Sequence, residues 1–375
     1  MLPAGTARFT LTRLRTPVSL SANPLLELHR LGQRLWLDGV GRELIATGSL
    51  ARHIREERLA GAIVSPALGV ERMPVDPEAG EGLAACEVAR LDAAREAADL
   101  LAEIYGASGG ADGFVGLTLA PYLAHDPVAT LTQAQRLWAR IERPNAMIQI
   151  PATPAGLTAM RACIAAGINV NVTWLFSAVR YRAAVDAYAA GLEARASAGR
   201  PLAAIAGVAS FCVAPIDAQV DRVLDGLAAH GQPAARALRG KSAIASACRI
   251  YEIYEDFLAS PRWQDLARQG ARPQRLAWVG TASDDPGASP VKYVEALIVP
   301  DTISTLALET LGVYRRLGRP QLRLERHIAG ACDQREGLER LGVDLEAVAE
   351  QLELSCLAQQ LAPFERLATS LGEPH

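Results

Sequence analysis

The sequence has almost no lysine. Of its 38 basic residues 36 are arginine, and Lys241 and Lys292 are the only lysines among 375 residues. Any mechanism that needs a primary amine on a side chain therefore has two candidates. The six cysteines include no C-x-x-C pair and no tight cluster with histidine, so they predict neither a zinc site nor a disulfide scaffold. This usage of cysteine is typical of a reducing cytoplasm, where we expect the protein to be located.

Long apolar runs and a strong net charge are also absent. No run approaches the ~18 apolar residues of a membrane span, and the N-terminus lacks the apolar core of a signal peptide. The net charge of −3 gives no field that would attract nucleic acid. With 50% hydrophobic and 21% charged residues, the chain has the composition of a globular protein. We expect a small polar molecule as its ligand, without a cofactor or a metal, a membrane or a nucleic acid. The oligomeric state cannot be derived from these patterns.

Short apolar runs alternate with longer helical segments, which is typical of βα units around a parallel sheet. Eight such runs predict one (β/α)8 barrel, a TIM barrel of the α/β class. The predicted strands cover residues 34–38, 62–65, 113–119, 146–151, 168–174, 207–213, 276–281 and 296–299. We predict an N-terminal extension over residues 1–22, and a barrel domain over residues 23–375 that includes an amphipathic helical tail beyond residue 338.

Several of these strands are followed by signals for the start of a helix. Asp126 precedes Pro127, and Thr153 precedes Pro154, which in each case places a capping side chain before a proline in the first turn. Ser177 is predicted to cap a helix over residues 178–196. Helices are therefore expected directly after the predicted strands, as the barrel requires.

In such barrels the reacting groups lie at the C-terminal ends of the strands. Polar side chains end most of the predicted strands or follow them directly. They are Asp38, Ser65, Thr118, Gln149, Asn171, Thr173, Ser210, Ser283 and Asp284. Each one alone is also a common turn or capping residue. Because barrel closure brings these ends together, the set predicts a polar site at one mouth of the barrel.

Several stretches of the sequence resemble the transaldolases, in their longer bacterial form. The matching stretches are NPLLELHRLGQRLWLDGVGRELI (23–45), APYLAHDPVAT (120–130), RPNAMIQIPATPAGL (143–157), GINVNVTWLFS (167–177), VASFCVAPID (208–217), GKSAIASA (240–247) and YVEALIVPDT (293–302). The resemblance implies a class I aldolase barrel that moves a dihydroxyacetone unit between sugar phosphates. It also implies a Schiff-base lysine on a strand, an aspartate and a glutamate for proton transfer, and basic residues for the phosphate.

Part of that site is present when the resemblance is carried over residue by residue. Asp38 falls on the acid/base aspartate of the family. Asn171 and Thr173 match its contacts to substrate and water, and Ser210 matches a serine of the pocket. His125 lies in a shared motif before a capped helix, where a structural role in the loop is favoured over a catalytic one.

Other positions depart from the family pattern. The resemblance places the Schiff-base lysine at Gln149, the glutamate at Thr118 and an asparagine at Ser65. The resemblance places a phosphate-binding arginine near residues 214 and 215, and no arginine is present there. It also places a Thr-Lys-Asn motif after the seventh strand, whereas residues 283–285 are Ser-Asp-Asp. Trp174 stands where a smaller apolar residue is usual, and it belongs either to the wall of the mouth or to the core.

These departures bear on the chemistry. A carboxamide such as that of Gln149 exchanges hydrogen bonds but cannot condense with a ketone. Lys241 is usual in the family, and Lys292 is predicted in a helix between the seventh and eighth strands, pointing away from the mouth. With Asp284 in place of a cation, we expect repulsion of phosphate, by roughly 4 kcal/mol for like charges about 4 Å apart at an effective dielectric of 20. A neutral or cationic polar compound is therefore favoured.

Three functions remain open from the sequence, and the first is favoured because Thr118 and Gln149 keep the mouth polar. The first is an enzyme that uses acid/base chemistry on a carbonyl compound, such as enolisation, dehydration, an aldol-type step or a cyclisation, in a secondary biosynthetic pathway. Its catalytic residues would be Asp38, Thr118, Gln149 and Thr173, and its binding residues Ser65, Asn171, Ser210, Trp174, Ser283 and Asp284. The second is a non-catalytic paralogue that binds a ligand or a protein, and the third is a true transaldolase with a relocated lysine.

Overall fold

The protein forms a closed barrel of eight parallel strands, in which each strand pairs with its neighbours in sequence and β8 pairs with β1. A computed structural model describes residues 23–65, 82–283 and 285–370. The predicted extension at residues 1–22 and the candidate residue Asp284 lie outside this range. The strands are β1 Arg34–Val40, β2 Gly61–Val64, β3 Phe114–Thr118, β4 Ala146–Pro151, β5 Val170–Leu175, β6 Gly207–Cys212, β7 Gln274–Val279 and β8 Ile303–Ala307. The predicted (β/α)8 fold is confirmed.

Helices connect the strands and surround the barrel. They are α1 Pro24–Arg30, α2 Arg42–Ala46, α3 Ser49–Glu57, α4 Gly82–Ala107, α5 Pro127–Ile141, α6 Pro154–Ala166, α7 Ala178–Ser197, α8 Ala214–Ala229, α9 Ser242–Ala259, α10 Pro261–Arg268, α11 Lys292–Ala296, α12 Leu308–Leu317, α13 Leu324–Arg340 and α14 Leu345–Ser370. Two short 3-10 turns cover Pro121–Leu123 and Pro233–Leu238.

The helix starts that the sequence predicted are present. Asp126 accepts hydrogen bonds from the first turn of α5, at 2.9 Å from the amides of Val128 and Ala129. Thr153 and Ser177 cap α6 and α7 in the same way, each accepting from the third amide that follows. These side chains satisfy backbone donors that have no partner within the helix, which fixes the residue at which each helix begins.

The eighth strand was predicted in the wrong place. The apolar run at residues 296–299 ends α11 and leads into a loop, and β8 begins at Ile303. Leu297, Ile298 and Val299 are buried, but in packing outside the sheet. A turn at Pro300 and Asp301, where Asp301 has a φ of 60°, separates this run from the strand. An apolar run shows burial but does not by itself distinguish a strand from other buried backbone.

The C-terminal tail packs on the barrel, as its amphipathic pattern predicted. Val348 and Leu357 of α14 are buried, and Leu345 and Leu352 are half-buried against the core. The helix contacts α8, α4 and β5. No helix within the described residues is long and apolar enough to cross a membrane.

Candidate active site at the C-terminal mouth of the barrel

Asp38, Gln149 and Ser210 face the barrel interior because side chains alternate along a strand. Trp36, Phe114, Met147 and Val208 form part of an apolar cluster that is separate from the main core. Two residues further along each of these strands, the inward positions become Asp38, Gly116, Gln149 and Ser210. The interior therefore changes from apolar to polar towards the C-terminal ends of the strands.

Asp38 lies near the end of β1, opposite Ala307 of β8. Its carboxylate accepts a hydrogen bond from the amide of Gly39 at 2.8 Å, and the side chain is open to solvent. Desolvation by the surrounding protein raises the pKa of Asp38, and the hydrogen bond from Gly39 opposes that shift in part. A carboxyl with a raised pKa that solvent reaches is suited to exchange protons with a bound molecule.

Thr118 and Gln149 form a hydrogen-bonded pair across β3 and β4. The two residues are opposite one another in the strand register, and the Thr118 hydroxyl donates to Gln149 Oε1 at 2.6 Å. Gln149 is buried, whereas Thr118 is half-buried. Buried Arg90 of α4 donates to the carbonyl of Thr118 and supports the end of β3 from outside the barrel. The carboxamide is thereby held in one orientation.

Asn171 and Ser210 form a second pair on β5 and β6. The Ser210 hydroxyl donates to Asn171 Oδ1 at 2.8 Å, and both side chains are buried. Asn171 Nδ2 has no partner among the described residues, which leaves one buried donor free to meet a ligand oxygen. Half-buried Thr173 lies two residues further towards the mouth, with its hydroxyl 3.4 Å from the carbonyl of Ile150.

Trp174 has an unusual backbone. Its φ of 60° lies in the left-handed region, which is uncommon for a large side chain, and the pairing of β5 with β6 shifts register between Val172 and Leu175. The indole is half-buried and packs against the core. The packing of Trp174 agrees with the role in the core, and its role in the wall of the mouth stays a prediction.

The other two described candidates stand at the ends of β2 and β7. Ser65 follows β2 directly and is half-buried, and its amide donates to the carbonyl of Val40. Ser283 lies in the loop after β7 and lines a cavity that we call the α8 cavity. That cavity, of about 840 Å³, lies between the start of α8, the loop after β7 and the C-terminal helix α14.

Lys292 lies beside the α8 cavity and not among the candidate residues of the mouth, so that its pointing away from the mouth stays a prediction. Lys292 begins α11, as expected, but its side chain lines the α8 cavity on the C-terminal side of the barrel. Lys292 Nζ donates to Asp217 Oδ2 at 3.0 Å, and the hydroxyl of Tyr293 donates to the same oxygen at 2.8 Å. The buried carboxylate of Asp217 attracts the lysine, which a reading of α11 alone could not anticipate. Lys241 is exposed at the start of α9.

The charges around the α8 cavity are more balanced than the sequence suggested. Besides Lys292, the lining includes Arg222 and Arg239, although no arginine stands at residues 214 and 215. Arg239 lies 2.9 Å from Asp225, whereas Arg222 donates to the neutral side chain of Gln219. The cavity therefore has cations although the arginine that the family resemblance places near residues 214 and 215 is absent, and its carboxylates compete with any anionic ligand for them.

Two inward residues of the barrel were missed by the sequence analysis. Thr305 of β8 is buried opposite Trp36, and its hydroxyl has no partner among the described residues. It was overlooked because β8 was misplaced. Cys212 ends β6 close to Asp38, and desolvation, together with nearby charges that include Asp38, raises the pKa of its thiol. The alternation along β6, which puts residues 208 and 210 inward, would have identified Cys212.

No group of three or more His, Cys, Asp or Glu side chains within the described residues is arranged to hold a metal ion. What the mouth offers is one carboxyl with a raised pKa and several hydroxyl and amide groups. Such groups can bind a polar molecule through hydrogen bonds and can transfer a proton at Asp38.

Comparison with known proteins agrees with this architecture. Residues 35–371 match the family described as transaldolase/fructose-6-phosphate aldolase. A transaldolase of Thiobacillus denitrificans is 37% identical over 357 residues, which covers 92% of this chain and 99% of that protein. A transaldolase of a Parafrankia species is 39% identical, and the match covers 94% of this chain and 98% of that protein. Transaldolase 1 of Streptomyces coelicolor is 38% identical, and the match covers 95% of this chain and 96% of that protein. The chain therefore belongs to the transaldolase/fructose-6-phosphate aldolase family.

Proposed function

We propose that the barrel mouth binds a polar carbonyl compound and transfers protons to and from it through Asp38, without a Schiff base at residue 149. The observation that carries the proposal is the pair formed by Thr118 and Gln149. It presents a hydrogen-bonded carboxamide and a hydroxyl at the positions where the family resemblance expects an amine and a carboxylate.

The chemistry of these groups supports a non-covalent reaction. A carboxamide has no basic lone pair on nitrogen and does not condense with a carbonyl, whereas it does donate to an oxygen that becomes negative during the reaction. Because Thr118 holds Gln149 Oε1, the amide nitrogen is the end available to a substrate oxygen. Together with the free Nδ2 of Asn171, it would stabilise an enolate-like oxygen.

Asp38 supplies the proton transfer in this proposal. It is the only ionisable residue among the described candidates from the sequence, and its pKa is raised by desolvation. A raised pKa brings the carboxyl closer to neutral pH, where both its acid and its base form are accessible during turnover. Enolisation and the related dehydration, aldol-type and cyclisation steps all begin with such a transfer.

A second candidate is a working transaldolase, and the names of the relatives favour it over a changed chemistry. At 37–39% identity over nearly the whole chain, those named transaldolases are close enough for a shared reaction. In that case Lys292 would supply the amine, since it lies on the same side of the barrel. Against this stands its ion pair with Asp217, because an ammonium held by a carboxylate has no lone pair with which to attack a carbonyl.

Hydrogen exchange in D₂O tests the proposed proton transfer. Dihydroxyacetone, fructose and fructose 6-phosphate are each incubated with the protein, and loss of the proton signals next to the carbonyl is followed by NMR. We expect enzyme-dependent exchange for at least one neutral compound. Asp38→Asn should lower the rate by about 10²-fold or more, while Lys292→Met should retain it.

The contrary results separate the alternatives. Exchange that survives Asp38→Asn but is lost in Lys292→Met would favour the transaldolase with a relocated lysine. Binding of these compounds without any exchange would favour a non-catalytic binding protein. Asp265→Asn, which changes an exposed carboxylate on α10, serves as the matched control and should behave as the unchanged protein.

A further inference from the structure

Arg90 of α4 is buried beside the end of β3. Its side chain belongs to a residue that is only 7% exposed, and Arg90 Nη2 donates to the backbone carbonyl of Thr118. Arg90 Nε is also buried and has no partner among the described residues. The sequence patterns gave no reason to select this residue, because it lies on a helix outside the barrel and the chain is rich in arginine.

No carboxylate in the part of the chain that the structure describes forms an ion pair with Arg90. Glu87, one turn earlier on α4, is held instead by Arg136 and Arg140 of α5. Desolvation lowers the pKa of Arg90, and the nearby charge of Glu87 opposes that shift in part. A buried cation without an ion pair costs free energy, and an apolar side chain is often more stable in its place. Such groups are found mainly where function requires them.

The hydrogen bond from Arg90 replaces a strand partner that is missing at the end of β3. The pairing of β2 with β3 stops two residues before Thr118, and β2 itself ends at Val64. Leu119 donates to the carbonyl of Gln149 in β4, and backbone groups alternate in direction along a strand. The carbonyl of Thr118 therefore points towards the side of β2, where it meets Arg90.

The backbone of β3 determines where the carboxamide of Gln149 lies. A Cβ added at Gly116 would come within 3.3 Å of Gln149 Cδ, so the carboxamide packs directly on the β3 backbone. Two residues further along, the hydroxyl of Thr118 donates to Gln149 Oε1 at 2.6 Å. Threonine is branched at Cβ and has few χ1 alternatives, so the direction of its hydroxyl follows the backbone. A shift at the end of β3 would therefore move the carboxamide.

From these observations we infer that Arg90 is a positioning residue of the mouth, which holds the carboxamide of Gln149 in place through Thr118. Its effect on turnover rests on the proposed function, in which that carboxamide donates to a substrate oxygen. Its effect on the carboxamide itself does not depend on the proposed function, so the two effects are measured separately.

The NMR signals of the Gln149 side-chain amide measure the effect on the carboxamide. The full-length protein is labelled with ¹⁵N at the side-chain nitrogen of glutamine, and the Gln149 signals are identified by their absence in Gln149→Leu. Arg90→Gln should move these signals towards their positions in Thr118→Val, because both changes release Oε1. Arg95→Gln is the matched control, since Arg95 lies on the same helix and donates to the carbonyl of Arg140, and it should leave the signals unchanged.

A double variant shows whether Arg90 acts through Thr118. Arg90→Gln combined with Thr118→Val should give the Gln149 signals of Thr118→Val alone, since the hydroxyl that transmits the effect is then absent. Thermal unfolding shows whether Arg90→Gln is folded. If it is not, Arg90→Lys is used in its place, which keeps a donor but loses the planar guanidinium, and it should give a smaller shift in the same direction.

Hydrogen exchange in D₂O measures the effect on turnover, with a compound that the unchanged protein turns over. Arg90→Gln should lower kcat by about tenfold and change KM by less than about twofold, because the carboxamide stabilises charge that develops only during the reaction. Arg95→Gln should retain both constants. If the unchanged protein turns over none of the compounds, the proposed function fails, and the Gln149 signals alone decide the role of Arg90.

Four results would overturn this role of Arg90. The first is that the Gln149 signals of Arg90→Gln coincide with those of the unchanged protein, and the second is an equal shift in Arg95→Gln. The third is that the shifts of Arg90→Gln and Thr118→Val add in the double variant, which would show that Arg90 acts by another route. The fourth is a rise in KM at unchanged kcat, which would assign Arg90 to substrate binding instead.

Discussion

At the scale of single residues, the proposed chemistry of the mouth depends on a carboxyl and a carboxamide. Asp38 has its pKa raised by desolvation, and Gln149 is oriented by the hydroxyl of Thr118. Both residues were identified from the sequence, because a polar residue at the end of an apolar run is conspicuous. Their hydrogen-bond partners were not, because the sequence does not give the register between β3 and β4 that brings Thr118 opposite Gln149.

The titration of Asp38 gives a prediction for stability as well as for activity. The pKa of Asp38 is higher in the folded protein than in the unfolded chain, so the folded protein binds the Asp38 proton more tightly. The stability of the protein therefore falls as pH rises from the unfolded-state pKa of Asp38 to its folded-state pKa. Asp38→Asn should therefore be at least as stable as the unchanged protein at pH 7, while its activity falls by about 10²-fold or more. Urea unfolding and a pH–rate profile on the same samples measure both.

Two outcomes would count against this role for Asp38. One is a clear loss of stability at pH 7 with activity retained, which would make the residue a structural cap for the turn at Gly39. The other is a pH–rate profile whose acidic limb is the same in Asp38→Asn, since another group would then be responsible for that limb.

At the scale of secondary-structure elements, seven of the eight strands follow from the apolar runs and their caps, and the eighth does not. Residues 296–299 have the composition of a buried strand, whereas β8 itself contains Ser304 and Thr305. Because side chains alternate along a strand, Thr305 faces the barrel interior, as Ile303 does, and Ser304 faces the surrounding helices. Both residues are buried by tertiary packing, which no local sequence pattern reveals. The ion pair of Lys292 could not be derived from the sequence for the same kind of reason, because its partner Asp217 lies 75 residues away.

The C-terminal helix α14 gives a prediction at this scale. Arg180 of α7 forms an ion pair with Glu353 of α14, with 3.1 Å between Nη2 and Oε2. Desolvation raises the pKa of Glu353, and Arg180 opposes that shift. Because the pair is partly exposed, we expect it to contribute no more than about 1 kcal/mol.

Arg180→Gln should therefore loosen α14 locally and leave the barrel intact. Hydrogen exchange of the amides at residues 345–362 should become about twofold to fivefold faster, with the amides of β1–β8 unchanged. Arg182→Gln, an exposed change on the same helix, is the control and should have no effect on α14. Equal exchange in both variants would mean that apolar packing alone holds the helix.

At the scale of the whole molecule, the barrel has a polar mouth at one end and a charged rim at the other. Asp112 joins three parts of the chain at that rim, because it follows α4 and accepts hydrogen bonds from Arg34 of β1 and Arg275 of β7. Burial by itself would raise the pKa of Asp112, but the two arginines outweigh it and the pKa is lowered.

A lowered carboxyl pKa contributes stability above the unfolded-state pKa, and this contribution is lost as pH falls through the folded-state pKa. Asp112→Asn should therefore destabilise the protein by about 2 kcal/mol at pH 7, since it leaves two guanidinium groups without their carboxylate. The difference from the unchanged protein should shrink on going below about pH 4. Urea midpoints at pH 7 and pH 3 measure this difference in stability.

The control is Asp265→Asn, which should change stability by less than about 0.5 kcal/mol at either pH. If the loss of stability in Asp112→Asn is as large at pH 3 as at pH 7, the charge of Asp112 is not the cause of that loss.

The central claim is that the mouth works without a Schiff base at residue 149, and covalent trapping with borohydride tests it most directly. The protein is incubated with fructose 6-phosphate and borohydride, and its intact mass is recorded. We predict no gain in mass for the unchanged protein, because Gln149 offers no amine and Lys292 is held by Asp217. Gln149→Lys serves as the positive control, in which an adduct can form at residue 149. A reduced three-carbon adduct on Lys241 or Lys292 of the unchanged protein would contradict the account and establish a transaldolase with a relocated lysine.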